Sequence, residues 1–392
     1  MCDTLCAPGP RGMVFAKNSD RPPGEVQIAW PFGRRASAGC TLRTQYLSIG
    51  DTGAHAAFLS CPTWLWGAEH GVNEHGVAIG NERVSTIHDA AAAPPRLIGM
   101  DLVRLGLERA RSAAEAVDVL TGLLETCGQG GIADAVRGEA YDSSFLIADP
   151  TQAFVLESAG SDYAVAPFPA GVAISNRITL EDFDGFRDPA QDTTFADVRL
   201  AASRRFLASA GSGGLTPAAT AAHLRDHGTG PWGAPGTDGP VQLPPTGVDT
   251  DGSGVSVCMH VRGVVVTTAS MIAELPPDLA EGAPLRVYIA AGSPCVSIYV
   301  PAFPRTAAGP PPFVPVELSG EELWHAAAAL RQRVEADPDA LHVIRETLTP
   351  VEDALWVEAE DVLEEPSRWA EVGGSWGSRA LHALRSCIPS SS

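Results

Sequence analysis

Met1-Cys2-Asp3-Thr4-Leu5-Cys6 begins the chain, and Lys17-Asn18-Ser19-Asp20-Arg21 follows after the turn Pro8-Gly9-Pro10-Arg11-Gly12. Residues 2–7 and 13–17 are short, apolar and suited to strands, and the intervening Pro/Gly run is turn chemistry. As an antiparallel hairpin, facing positions have numbers summing to about twenty. Lys17 and Asn18 then return beside Cys2, with Asp20 just beyond. Removal of the initiator methionine, favoured before a small residue, would leave Cys2 carrying both a thiol and a free α-amine. Their ordinary pKa values lie near ~8.5 and ~8, so the two groups can exchange a proton near neutrality. A nucleophile with its base on the same residue is the logic of the N-terminal threonine–amine pair. An aspartate at position 20 could hold the amine, and a lysine at 17 favours the thiolate. The same residues also suit a surface hairpin with ordinary charges at its end.

The remaining composition narrows the function classes. The chain has 392 residues, 45% of them hydrophobic, with a net charge of −20, which describes a globular protein with room for two domains or one large one. Such an acidic surface repels phosphate backbones and excludes nucleic acid as a partner. The eight cysteines, at 2, 6, 40, 61, 127, 258, 295 and 387, are scattered. That pattern suits reduced thiols in a cytoplasmic protein. No apolar run is long enough to span a membrane, and no signal-peptide core follows the first residues.

Strands are expected around 43–49, 55–60, 76–81, Ser143–Ala148, Ala153–Glu157 and Gly171–Ser175. Residues 255–301 hold three or four more, including Val264–Ile272 and Leu285–Ala291. Residues 98–127 carry an apolar stripe of helical period, broken at Ser112 by a capping box with Glu115. Helices are also expected over 193–210, from Thr216 with Pro217 in its first turn, and from Ser319-Gly320-Glu321-Glu322 to about Ala336. Residues 228–254 form a long Gly/Pro/Asp/Thr loop, and the Pro-rich stretch 304–316 is the domain boundary. The division is a core over 1–305 and a linker with a helical segment over 306–392, packed on that core. Runs of strands followed by runs of helices give an α+β class.

Other motifs weigh little. His70 and His75 are five residues apart, and their glycine-rich setting favours a turn over a zinc-binding helix. Gly373-Gly374-Ser375-Trp376-Gly377 matches a nucleophile elbow but lacks the preceding strand, so it reads as a loop. Cys258 and His260 fall on the same face of a strand. They are either a Cys–His dyad or two core residues. No cofactor and no metal site is expected.

Several segments together resemble the secernin family, relatives of the cysteine dipeptidases among the N-terminal-nucleophile hydrolases. They are Cys2-Asp3-Thr4, Lys17-Asn18-Ser19-Asp20-Arg21 with Glu25-Val26-Gln27, and Trp64-Leu65-Trp66-Gly67-Ala68-Glu69. Asn73-Glu74-His75-Gly76-Val77, Gly80-Asn81-Glu82, the run Gly99–Arg109, Ser144–Asp149 and Thr267–Met271 continue the match to about Phe303. The resemblance implies a four-layer αββα sandwich with the first strand inside one sheet. It implies a basic residue three before an aspartate, which Lys17 and Asp20 supply, although related enzymes carry arginine at that place. Lysine keeps the charge and loses the bidentate geometry. It also implies Asn81 as oxyanion donor, Asn176 as a second site asparagine, and an arginine early in a following helix, Arg204 or Arg205. The implied activity is dipeptidase-like hydrolysis of an amide in a small peptide or N-acyl substrate through a Cys2 thioester. Acyl transfer from the same thioester is the alternative, and a binding or trafficking protein with little turnover is the alternative of another class. Homo-oligomerisation is a further association of such enzymes.

Overall fold

The computed structural model describes residues 1–228, 254–279, 284–304 and 320–389. The loop expected over 228–254 and the boundary expected over 304–316 lie almost wholly outside the described residues.

The chain opens with β1 (Cys2–Gly9) and β2 (Gly12–Arg21), then β3 (Gln27–Phe32) and a small hairpin of β4 (Thr41–Arg43) and β5 (Ser48–Gly50). One strand was expected over 43–49. Residues 44–47 turn instead, with the Thr44 amide donating to the Leu47 carbonyl. Next come β6 (Ala57–Pro62), β7 (His70–Asn73), β8 (Ala78–Val84), α1 (Gly99–Arg109) and α2 (Ala113–Cys127). The expected break between the helices is present, and Ser112 Oγ accepts from the Glu115 amide at 3.2 Å. Further along are β9 (Ile132–Asp134), β10 (Glu139–Ala140), β11 (Asp142–Ala148), β12 (Ala153–Ala159), β13 (Asp162–Pro167) and β14 (Val172–Ser175). The chain continues through α3 (Thr194–Ser209), α4 (Pro217–Leu224), β15 (His260–Val261), β16 (Val265–Leu275), β17 (Arg286–Ala291) and β18 (Val300–Ala302). It ends with α5 (Gly320–Ala336), α6 (Ala340–Asp361) and α7 (Pro366–Ser386).

Fourteen of these strands build two antiparallel seven-stranded sheets, while β4–β5 and β9–β10 pair separately. The first runs β14-β1-β2-β16-β17-β18, with β15 on β16, and the second runs β13-β12-β11-β8-β7-β6-β3. Strand periodicity explains why they stack. From β1 and β2, Cys6, Met13 and Phe15 face the second sheet and meet Phe58, Val72 and Leu146 there. The alternate residues Leu5, Ala7, Val14 and Ala16 face outward onto Leu200 of α3 and Leu224 of α4. Across the second sheet, Leu59, Ile79, Phe145 and Leu156 pack under Leu102, Leu105, Leu120 and Leu124 of α1 and α2. The result is the expected four-layer αββα sandwich of the α+β class. β1 lies inside its sheet, one strand from the edge.

The hairpin register is close to that expected: Cys2 faces Ser19 and Thr4 faces Lys17. Gly12 makes the turn possible, because at its φ of +118° a Cβ would meet the Leu275 carbonyl oxygen at 2.1 Å.

The last three helices lie against the β17–β18 end of the first sheet. Trp369, Trp376, Ala380, Leu381 and Leu384 of α7 share a core with Leu330, Ile344, Leu348, Val296 and Phe303. Trp324 Nε1 of α5 donates to the Thr268 carbonyl of β16 at 3.0 Å. The run Gly373–Gly377 is therefore helix and not the expected loop. The helical spacing of the buried tryptophans and leucines overrides the weak helix propensity of three glycines.

Candidate active site

Strand parity divides the N-terminal hairpin into two chemically different faces. Cys2, Thr4, Lys17 and Ser19 point between the sheets. Asp3 and Asn18 point outward under α3 and α4. Cys2 is 5% exposed and sits in the wall of a cavity of about 350 Å³, together with Asp20, Glu69, Arg83, Tyr141 and Asn176.

Three of the expected residues, Lys17, Asp20 and Asn176, meet at Cys2. Its backbone N–H donates to Asn176 Oδ1 at 2.6 Å. Its Sγ accepts from the Asp20 backbone N–H at 3.4 Å. Lys17, wholly buried, interacts with the sulfur and forms an ion pair with Glu82 at 3.4 Å. Burial disfavours the Lys17 charge, but Cys2 and Glu82 outweigh it and hold its pKa above the ordinary value. Burial pushes the Cys2 thiol up, opposed by the Lys17 ammonium and the chain terminus. Asp20 meets the terminus through its backbone and not its carboxylate: its carbonyl accepts from the Met1 ammonium at 3.1 Å. Its Oδ1 instead accepts from Thr267 Oγ1 at 2.7 Å. Burial raises this carboxyl to about 6, against the pull of the terminal ammonium and Arg199.

The helix arginine is corrected by the structure. Arg204 and Arg205 are both exposed, whereas Arg199, five residues earlier on α3, is wholly buried. Its Nη1 donates to the Cys2 carbonyl at 3.0 Å and to Asp3 Oδ2 at 2.5 Å, and its Nη2 donates to Asn176 Oδ1 at 2.9 Å. Asp20 Oδ2 lies 3.8 Å from it. The signal was available: Ala196, Arg199, Leu200 and Ser203 form the buried i, i+3, i+4, i+7 stripe of the helix. An arginine placed in such a stripe needs a buried acid, and Asp3 on a strand facing the helices provides it.

Asn81 is also placed differently from expectation. Gly80 and Glu82 face the hairpin, since a Cβ on Gly80 would lie 2.7 Å from Lys17 Cδ. Asn81 therefore points to the opposite face, under α1, where Met100 Sδ lies 3.6 Å from its Nδ2. With its amide turned to donate, it reaches the Glu69 carbonyl at 3.0 Å and Glu69 Oε2 at 3.1 Å. Its structural partner is Glu69, a cavity residue that also accepts from Arg21 Nη1 at 3.1 Å. Two site acids escaped the sequence reading, Glu69 and Glu82. Glu69 lies just before β7, two residues after Gly67, and Glu82 lies on β8, two residues after Gly80.

Among the remaining motif residues, Arg21 lines the cavity, and Glu25, Gln27, His70 and His75 lie outside its lining. Arg21 Nε donates to Glu25 Oε1 at 2.7 Å and its Nη2 to the Ala133 carbonyl. Gln27 donates to Ser60 Oγ and accepts from Thr268 Oγ1. His70 is buried against Ser19 Oγ at 3.3 Å, and His75 instead lies against His55 at 3.2 Å.

No protein-family model matches the chain. Among solved structures it is similar to a variant of the conjugated bile acid hydrolase of Clostridium perfringens, with a TM-score of 0.45 and 12% identity. That match covers 74% of this chain and 89% of the other. It is also similar to the penicillin V acylase of Agrobacterium tumefaciens, with a TM-score of 0.42 and 13% identity, over 79% of this chain and 89% of the other. A third similarity is to the Caenorhabditis elegans ortholog of N-acylethanolamine-hydrolyzing acid amidase. There the TM-score is 0.40 and the identity 12%, over 71% of this chain and 96% of the other. No helix among the described residues is long and apolar enough to cross a membrane.

Proposed function

We propose that the chain is an N-terminal cysteine amidohydrolase, secernin-like and dipeptidase-like, that cleaves an amide in a small peptide or N-acyl substrate. The observation that carries the reading is the setting of one nitrogen. Cys2 N lies 2.6 Å from Asn176 Oδ1, and Arg199 clamps the carbonyl of the same residue. Loss of Met1 turns that nitrogen into the α-amine beside its own sulfur, already held by an acceptor, at the wall of a cavity. In the reaction the amine takes the thiol proton and the Cys2 sulfur adds to the substrate carbonyl. The amine then returns the proton to the leaving nitrogen as the C–N bond breaks. Water, deprotonated by the same amine, hydrolyses the thioester and regenerates the thiol. Lys17 favours the thiolate by its charge. Asn176 and Arg199 position Cys2 without touching the reacting carbonyl. Asn81 is assigned to support of Glu69, because its amide faces that residue.

The test is turnover of a panel of dipeptides and N-acyl amino acids by the mature protein and by Cys2→Ala. The expected result is loss of all turnover in a variant with an unchanged melting temperature. Undiminished turnover by Cys2→Ala sinks the proposal.

A further inference from the structure

A second cluster of reactive side chains lies behind the site, and no step above uses it. His227 follows α4, Cys258 and His260 precede β16, and Cys295 lies in the short turn Pro294–Val296. One ligand atom from each of the four lies within 4.8 Å of all the others. His260 Nε2 is 3.5 Å from Cys258 Sγ and 3.3 Å from Cys295 Sγ. The His227 and His260 rings lie 5.1 Å apart, centroid to centroid.

The two nitrogen–sulfur distances are those of a metal tetrahedron. Zinc bonds of about 2.3 Å to sulfur and about 2.05 Å to nitrogen give sulfur–nitrogen edges of about 3.5 Å at tetrahedral angles. The outer shell agrees. His260 Nδ1 lies 3.1 Å from Glu335 Oε1, and Arg331 Nη1 holds both oxygens of that carboxylate at 3.0 and 2.8 Å. A carboxylate behind an imidazole fixes the tautomer that leaves Nε2 free to ligate and raises its basicity. Cys258, His260 and Cys295 are at most 1% exposed. Two thiolates neutralise a divalent ion, which is the arrangement a buried site tolerates.

We infer that His227, Cys258, His260 and Cys295 form a structural zinc site, closed by four protein ligands and separate from the Cys2 cavity. Binding of one Zn²⁺ displaces the thiol protons of Cys258 and Cys295 to solvent. Soft thiolates with imidazoles select zinc over magnesium or calcium, and four protein ligands leave no open position for substrate.

The site joins three chain segments next to the N-terminal hairpin. Between two of the ligands, the Met259 amide donates to Thr267 Oγ1 at 2.9 Å, and that hydroxyl donates to Asp20 Oδ1 at 2.7 Å. Asn18 Nδ2 donates to the Leu224 and Val257 carbonyls. The ion thus fixes the backbone that holds the residues flanking Cys2.

The experiment is metal analysis of the full chain, purified from zinc-supplemented cells under reducing conditions and dialysed extensively. One zinc per chain is expected. Exchange with Co²⁺ should give the visible bands of a tetrahedral thiolate complex. Cys258→Ser and Cys295→Ser should each lose the zinc and the cobalt bands. His55→Ala should keep both, although it alters the other cluster of potential ligands, His55, Glu74 and His75. If the cysteine variants fail to fold, the wild-type zinc content and cobalt spectrum still decide. Substoichiometric zinc with no tetrahedral cobalt spectrum overturns the inference. So does a Cys258–Cys295 disulfide in the peptide map, or zinc that follows His55 and not Cys258.

Discussion

Replacing Arg199 by leucine removes the guanidinium that joins α3 to the first strand. The side chain is wholly buried and donates to the Cys2 carbonyl, Asp3 and Asn176, and through Nε to the Phe195 carbonyl of its own helix. Leucine fills most of the volume but leaves the Asp3 carboxylate buried without its cation. Stripping one partner from a buried ion pair costs about 3–5 kcal/mol, against a typical total stability of about 5–15 kcal/mol. Asp3→Asn on the Arg199→Leu background removes the stranded charge, so the double variant should recover part of the loss. The two substitutions together should cost less than the sum of their separate effects by at least about 1.5 kcal/mol. Arg204→Ala, on the exposed side of the same helix, should change stability by no more than about 0.5 kcal/mol. Denaturant midpoints of the four variants, each with an unchanged m-value, give the comparison. Strict additivity of Arg199→Leu and Asp3→Asn, or a larger loss from Arg204→Ala than from Arg199→Leu, refutes the placement of this arginine.

Three further outcomes are expected. Lys17→Met should slow alkylation of Cys2 by iodoacetamide roughly tenfold, the equivalent of about 1.4 kcal/mol, and peptide mapping of the adduct reads it; an unchanged rate removes Lys17 from the thiol's environment. Burial raises the Glu82 carboxyl to about 7, against Lys17 and Thr4. The unfolded chain sheds this proton near ~4.3 and the folded one near neutrality, so folding takes up a proton between those values and stability falls as pH rises across the window. Glu82→Gln should make that slope shallower, and an unchanged slope assigns the proton elsewhere. Gly80→Ala puts a methyl 2.7 Å from Lys17 Cδ and 3.1 Å from Thr4 Oγ1. It should cost about 1–3 kcal/mol by overpacking the space between the sheets, and a neutral melting temperature contradicts that close approach.

The hairpin was legible in the sequence because its turn residues and its strand lengths leave one register. That Lys17 and Asp20 come close to Cys2 follows from that register, and the paired helices follow from the Ser112–Glu115 box and the apolar stripe. Other residues were placed wrongly where a local motif was read without strand or helix parity. Asn81 lies one residue from a hairpin-facing position, and one residue in a strand is the opposite face. Arg204 or Arg205 was expected, and Arg199 was not considered, because the resemblance implies a helix arginine without fixing the helix's buried stripe. Gly373–Gly377 read as a loop because the packing of Trp369 and Trp376 against α5 and α6 is a tertiary effect. The Cys258–His260 pair was visible as a same-face pair. Its completion by His227 and Cys295, distant in sequence, was not.

The central claim is that Cys2 acts as the first residue of the mature chain. Intact-mass analysis of the purified protein, with the Met1-retaining and Met1-lacking forms separated and each assayed on the same amide panel, tests it most directly. All turnover should belong to the form lacking Met1, which should acquire an acyl mass on Cys2 when quenched during turnover. Equal turnover by the form that retains Met1 contradicts the account.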